Sequence, residues 1–122
     1  MVLCDEALQS KRTLRWTLVN IFTHWRVSAF PTVIPMSCLY TQLVNCEGDY
    51  HFRIEVRVRA TDDVIAHSDS RGPFSAPDRF SLHHIPFIVP HLHVPDPAVL
   101  DIVLLANGEE VDRQELNVEP RT

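Results

Sequence analysis

The sequence predicts an all-β protein, an antiparallel two-sheet sandwich (Ig-like or similar) of seven to nine strands. Three observations predict it. Tyr50 to Arg59 alternates strictly, with Tyr50, Phe52, Ile54, Val56 and Val58 on one side and His51, Arg53, Glu55, Arg57 and Arg59 on the other. Side chains on a strand alternate between faces, so this segment has one dry face and one wet face. Asn107-Gly108 stands between two strand-like runs and is the strongest short hairpin signal a sequence carries. Turn residues recur about every 8–12 positions, the spacing of short strands in a sandwich.

The elements follow in order. Val2-Leu3-Cys4 reads as a short first strand, and Asp5 to Arg12 suits either a helical turn or a loop. Leu14 to Phe22 is rich in β-branched and aromatic residues, with Leu14, Trp16 and Leu18 expected in the core. The prolines in Phe30-Pro31 and Ile34-Pro35 frame a connecting segment, because proline cannot donate in a central ladder. Ser37 to Val44 is the next strand, with Leu39, Thr41 and Leu43 on one face. Asn45 to Asp49 is a turn that is expected to join it to Tyr50–Arg59 as a hairpin. Thr61-Asp62-Asp63 is a second tight turn, leading to a strand Val64 to His67, and Ser68 to Asp78 is the expected main surface loop. Phe80 to Val89 is a strand, Pro90 to Pro97 a proline-punctuated bend, and Val99 to Ala106 a strongly apolar, central strand. Glu109 to Val118 returns as the last strand, with Leu116 and Val118 sharing a face.

Composition bounds the function classes. A chain of 122 residues, 45% hydrophobic, is long enough for one core, and residues 1–122 are read as a single domain. Eleven cations against 16 acids give a charge of −5, which argues against a nucleic-acid module. Cys4, Cys38 and Cys46 form an odd set without C-x-x-C spacing, so reduced thiols in a cytoplasm are expected rather than a secreted disulfide scaffold. The first residues lack the charged-then-apolar pattern of a signal peptide. No apolar run is long enough to span a bilayer, so no membrane partner is expected.

Few residues offer chemistry. There is no G-x-S-x-G, phosphate-binding loop or dinucleotide fingerprint, so neither an enzyme nor a cofactor is expected. The histidines cluster instead: His83-His84 and His91-x-His93 lie within eleven residues. Neutral imidazole is a common zinc ligand, so His84, His91 and His93 are the candidate metal ligands. The competing reading makes them surface or edge histidines. A catalytic thiol needs a positioned base, whereas Cys4 and Cys38 sit in or beside strands and are expected to be buried, and Cys46 in its turn is expected to be the most exposed. Trp25 is either a lid on the core or an anchor for a partner.

Association is the other expectation. The last strand carries Glu109, Glu110, Asp112, Arg113 and Glu115, a charged edge that repels a second copy. Phe80 to Val89 is poorly defended if it lies at an edge. Phe80, Leu82, His84 and His91, with Trp25, are therefore the candidate interaction residues, for a protein partner or self-association that weakens in mild acid as imidazoles charge.

Several short segments together resemble a family of small bacterial proteins known only as a domain of unknown function. They are Cys4-Asp5-Glu6-Ala7, the strand ending Asn20-Ile21-Phe22, the prolines at 31 and 35, the Leu104–Glu110 hairpin and the closing Leu116-Asn117-Val118. The resemblance covers nearly the whole chain. It implies a β-sandwich and carries no catalytic residue across. The expected function is a non-enzymatic, cytoplasmic binding or assembly module. The alternatives are a metal-dependent protein using His83, His84, His91 and His93, and a structural subunit of a larger bacterial or phage assembly.

Overall fold

Strand follows strand along the chain, as β-branched and alternating segments separated by Pro, Asn, Asp and Gly demand. A computed structural model describes residues 1–70, 74–76, 80 and 82–121. The strands are β1 (Val2–Gln9), β2 (Trp16–Ile21), β3 (His24–Val27), β4 (Thr32–Ile34), β5 (Ser37–Leu43), β6 (Gly48–Tyr50), β7 (Phe52–Val58), β8 (Val64–Asp69), β9 (Phe74–Ala76), β10 (His83–Val89), β11 (Leu92–Val94), β12 (Ala98–Ala106) and β13 (Glu109–Pro120). One main sheet has the order β10-β5-β1-β2, the other β3-β13-β12-β7-β8, and two small pairs are β11-β4 and β6-β9. No helix occurs among the described residues.

The two main sheets face each other across one apolar core. Leu3, Leu39, Phe87 and Val89 come from the first, and Phe52, Ile54, Val56, Leu100, Ile102, Leu104, Leu116 and Val118 from the second. Each Leu or Ile fully withdrawn from water contributes about 1.5–3 kcal/mol, so this shared face is the main stabilising term. The alternation in β7 holds as expected: Phe52, Ile54 and Val56 are buried. The Asn107-Gly108 turn also forms, with φ of 51° and 84° and Ala106 opposite Glu109. Positive φ at both central residues is what a type I′ turn requires. β12 lies in the middle of its sheet.

Several expectations are corrected. β5 and β7 do not form a hairpin: they belong to different sheets, and β6 between them pairs with β9. Turn residues Asn45 and Gly48 do take positive φ. A short link of the same composition also spans the gap between two packed sheets. Crossing lets both strands bury their apolar faces against each other. β1 runs on to Gln9, so Asp5 onward is strand rather than helical turn. Of the Leu14–Phe22 segment only Trp16–Ile21 is strand, as β2, and Leu14 is exposed in a left-handed turn with φ 59°; a separate strand, β3, follows at His24–Val27. The Pro90–Pro97 bend contains β11, and the Ser68–Asp78 loop contains the end of β8 and all of β9, with residues 71–73 and 77–78 outside the described set. The end of β13 is not a free edge, because Asn117–Pro120 pairs in parallel with β3.

The arginines of β7 are not open to water either. Arg53 and Arg57 keep only 36% and 21% of their side-chain surface. They lie over the outer face of β12, where Asp101 and Val103 are buried as deeply as the core. Glu55 and Arg113 stand directly opposite Val103 on either side. Long charged side chains lay their aliphatic stems on apolar surface while their heads stay wet, which dries Val103 without a third layer.

One arm leaves the sandwich. β1 pairs with β5 only from Val2 to Cys4 and then continues with β2 alone. Trp16 stands opposite Gln9, at one end of β1, and Tyr40 opposite Val2, at the other. A flat sheet would hold them nearly the length of that strand apart. The Trp16 and Tyr40 rings are instead 5.5 Å apart. The β1–β2 ribbon therefore bends back over the outer face of its own sheet. The irregularity falls where Asn20 takes φ 53° and its Nδ2 donates to Asp5 Oδ2 at 2.8 Å.

Candidate functional site

β10 is an edge strand, the condition on which the association expectation rested. It pairs with β5 from His83↔Leu43 to Val89↔Ser37. It carries no Asp, Glu, Lys or Arg, the usual defence of a free edge. Ile88 is 55% exposed and Leu82, just before the strand, 50%. Phe80 is largely exposed. The edge does have one protection. Pro86 sits at its centre, and a proline fits a paired edge strand only with its nitrogen turned away from the partner. A chain adding alongside β10 loses the middle donor.

The adjacent histidines point to opposite faces. His83 turns inward, its ring 5.0 Å edge-on from Phe74, and its Nε2 is buried with no hydrogen-bond partner. His84 turns outward beneath the bent ribbon, stacked on Trp16 and Tyr40, with its Nδ1 hydrogen-bonded to the Tyr40 hydroxyl. His91 and His93 are exposed and lie at β11, which pairs only with β4. The structure thus puts His84 in one sheet and His91 and His93 at another. Among the described residues no three His, Cys, Asp or Glu side chains are grouped to hold a metal ion. Trp25 rests edge-on against Phe22 at 5.3 Å, and both pack on the core, so it serves as a lid and does not join the β10 strip.

The charged lattice on the outer face of the five-stranded sheet centres on Asp101. Its Oδ1 accepts from Arg59 Nη2 at 2.7 Å and its Oδ2 from Arg113 Nη1 at 3.1 Å. Arg59 also reaches Glu115 at 2.5 Å, and Arg113 reaches Glu110 at 2.6 Å. The hydrogen bonds from Arg59 hold the Asp101 carboxyl below the ordinary aspartate range, outweighing the opposing effect of burial. This closed, alternating arrangement of charge is structural, with each of these groups paired.

The thiols differ sharply. Cys4 and Cys38 are cross-strand partners, Cys4 wholly buried and its Sγ directed to the Cys38 carbonyl. Burial, reinforced by the neighbouring Cys4, pushes the Cys38 thiol up to about 12. Cys46 lies in the β5–β6 link, half-buried, at the mouth of a cleft. That cleft, of about 360 Å³, opens between β5 on one sheet and β7 and β12 on the other. Thr41, Leu43, Phe52, Leu104 and Ala106 line its interior. Thr41 is 3% exposed, and its Oγ1 has no hydrogen-bond partner. The sequence held a signal for it: Thr41 is the polar member of a row sharing one face, Leu39-x-Thr41-x-Leu43. A larger hollow of about 600 Å³ lies at the other end of the five-stranded sheet, around Pro97 and Val118, and among the described residues no orphaned polar group faces it.

A family of unknown function, DUF6941, has a model that matches residues 1–119. The chain belongs to that family. Membership in DUF6941 accounts for nearly the whole sequence, in keeping with the resemblance seen in its short motifs, and assigns no activity. A search of the curated proteins and of the solved structures finds no match to this chain. Among the described residues no helix is long and apolar enough to cross a membrane.

Proposed function

We propose that this DUF6941 chain is a non-enzymatic binding module that associates with protein, a second copy of itself in the first instance, through the side chains along β10. The carrying observation is an edge strand without a charged residue, with Leu82 just before it and Ile88 within it half-exposed. Apolar side chains that stay wet in the monomer are what a partner buries. Pro86 blocks a continuous ladder, so the contact runs through side chains rather than by strand addition. The wider reading, a tile in a larger assembly, uses the same surface. A reducing, cytoplasmic setting fits three unpaired thiols.

The test is light scattering at neutral pH over a range of concentrations. Association that is lost in Ile88→Glu supports the proposal. A monomer at high concentration, or an oligomer indifferent to Ile88→Glu, rejects it.

A further inference from the structure

We propose that Cys4 and Cys38 are a reversible oxidation site: a peroxide closes them to a cross-strand disulfide that staples β1 to β5, and a thiol reductant reopens it. The inference is separate from association along β10. It begins with register. Cys4 lies directly opposite Cys38 in the antiparallel β1–β5 pair. Residues so opposed send their side chains to the same face, with Cα atoms about 4.5–5.5 Å apart. A disulfide spans Cα separations of about 4.4–6.8 Å, so the bond forms with little backbone movement. The Cys4 Sγ already turns across the pair, 3.7 Å from the Cys38 carbonyl oxygen. Cys46 stands apart, in the link between β5 and β6.

Position gives the bond a consequence. Three rungs join β1 to β5, Val2↔Tyr40, Leu3↔Leu39 and Cys4↔Cys38, and beyond Cys4 the strand continues with β2 alone. The cysteine pair is therefore the last rung before the β1–β2 ribbon leaves the sandwich. A strand held by so few rungs opens locally more readily than the centre of a sheet. Burial raises the Cys4 thiol and pushes Cys38 up to about 12, so the closed pair holds little thiolate and reacts slowly. Opening removes that burial, frees wholly buried Cys4 and fully exposes Cys38, which is only partly covered to begin with. Once cross-linked, the rung cannot part, and the chain from 4 to 38, with the ribbon, β3 and β4, becomes a closed loop.

The chemistry balances in two steps. The Cys38 thiolate attacks one oxygen of hydrogen peroxide, the O–O bond breaks, and the departing hydroxide takes up the thiol proton as water, leaving a sulfenic acid. The Cys4 sulfur then attacks the Cys38 sulfur, the S–O bond breaks, and a second water leaves with the Cys4 proton. Two thiols are oxidised and one peroxide is reduced. In the reverse direction two molecules of glutathione reduce the bond by thiol exchange and leave as glutathione disulfide.

The experiment uses the full chain carrying Cys46→Ser, which removes the third thiol and the cross-links it would form between copies. The folded protein is incubated with hydrogen peroxide, its remaining thiols are blocked with N-ethylmaleimide in urea, and the products are mapped by mass spectrometry. The expected product is a Cys4–Cys38 cross-link, lighter than the reduced chain by two hydrogens and closed to N-ethylmaleimide, and glutathione restores both thiols. The oxidised chain should melt at a higher temperature than the reduced one, and the amides of residues 2–4 should exchange more slowly. Cys38→Ser in the same background should lose the cross-link and the rise in melting temperature together. The proposal is overturned if both thiols stay free, if Cys38 passes to sulfinic acid without a cross-link, or if the bond forms only in urea. A cross-link that glutathione leaves closed, or one that leaves melting and exchange unchanged, overturns it equally.

Discussion

Replacing Asp101 by Asn tests whether the outer charge lattice stabilises the fold or merely decorates it. The exchange keeps shape and removes the charge at the centre. Asp101 receives three hydrogen bonds: from Arg59 Nη2 at 2.7 Å, Arg59 Nε at 3.3 Å and Arg113 Nη1 at 3.1 Å. A hydrogen bond to a charged group contributes about 1.5–3 kcal/mol, and breaking a buried pair costs about 3–5 kcal/mol. The lower part of that span applies here. Arg59 and Arg113 keep 51% and 39% of their side-chain exposure and retain Glu115 and Glu110 as partners, so neither is left as a buried lone charge. Asparagine keeps one acceptor but turns an amide donor toward a guanidinium. The expected cost is about 2–3 kcal/mol at pH 7, roughly 10 °C in melting temperature for a domain of this size.

The pH dependence carries the sharper test. Because the folded carboxyl is held below its ordinary range, Asp101 stabilises the fold at every pH above its unfolded value, about 3.9. The contribution disappears as pH falls through the depressed folded value. The gap between the parent and Asp101→Asn should therefore be full at pH 7 and shrink steadily below about pH 4. Urea unfolding followed by tryptophan fluorescence at both pH values measures it. A gap that is absent at pH 7, or undiminished in acid, would refute the reasoning.

The core and the turn give two further tests. Ile54, wholly buried among core residues, should lose about 2–5 kcal/mol on replacement by Ala. Arg53→Ala, which breaks half-exposed pairs with Glu55 and Asp69, should lose only a small fraction of that in the same urea titration. Equal losses would mean that the dry face of β7 is misassigned. Gly108 takes φ 84°, and a Cβ added there meets nothing within 4 Å. Gly108→Ala should therefore cost about 1–2 kcal/mol, wholly from the strain of a left-handed backbone. A calorimetric melting temperature unchanged in that variant would show that the turn does not need its left-handed geometry.

The sequence by itself determined what is local. Period-two alternation at Tyr50–Arg59 marks a strand and says which side is dry, because the pleat sends neighbours to opposite faces whatever the strand pairs with. Asn107-Gly108 marks a hairpin because few other residues accept positive φ at two successive positions. Thr41 shares a face with Leu39 and Leu43 by the same period, but only the packing of the two sheets made that face the inward one. What the tertiary structure decided is which strand lies beside which. The Asn45–Asp49 link has the composition of a hairpin turn and equally that of a crossing between sheets. Only the requirement that β5 and β7 bury their apolar faces against each other selects the crossing. The charged lattice was illegible for the same reason. Asp101 looks like a lone polar residue in an apolar strand, and its partners Arg59 and Arg113 come from just beyond the end of β7 and from β13. The cleft around Thr41 needed both sheets in place, since its walls come from segments far apart in sequence and only packing brings them together.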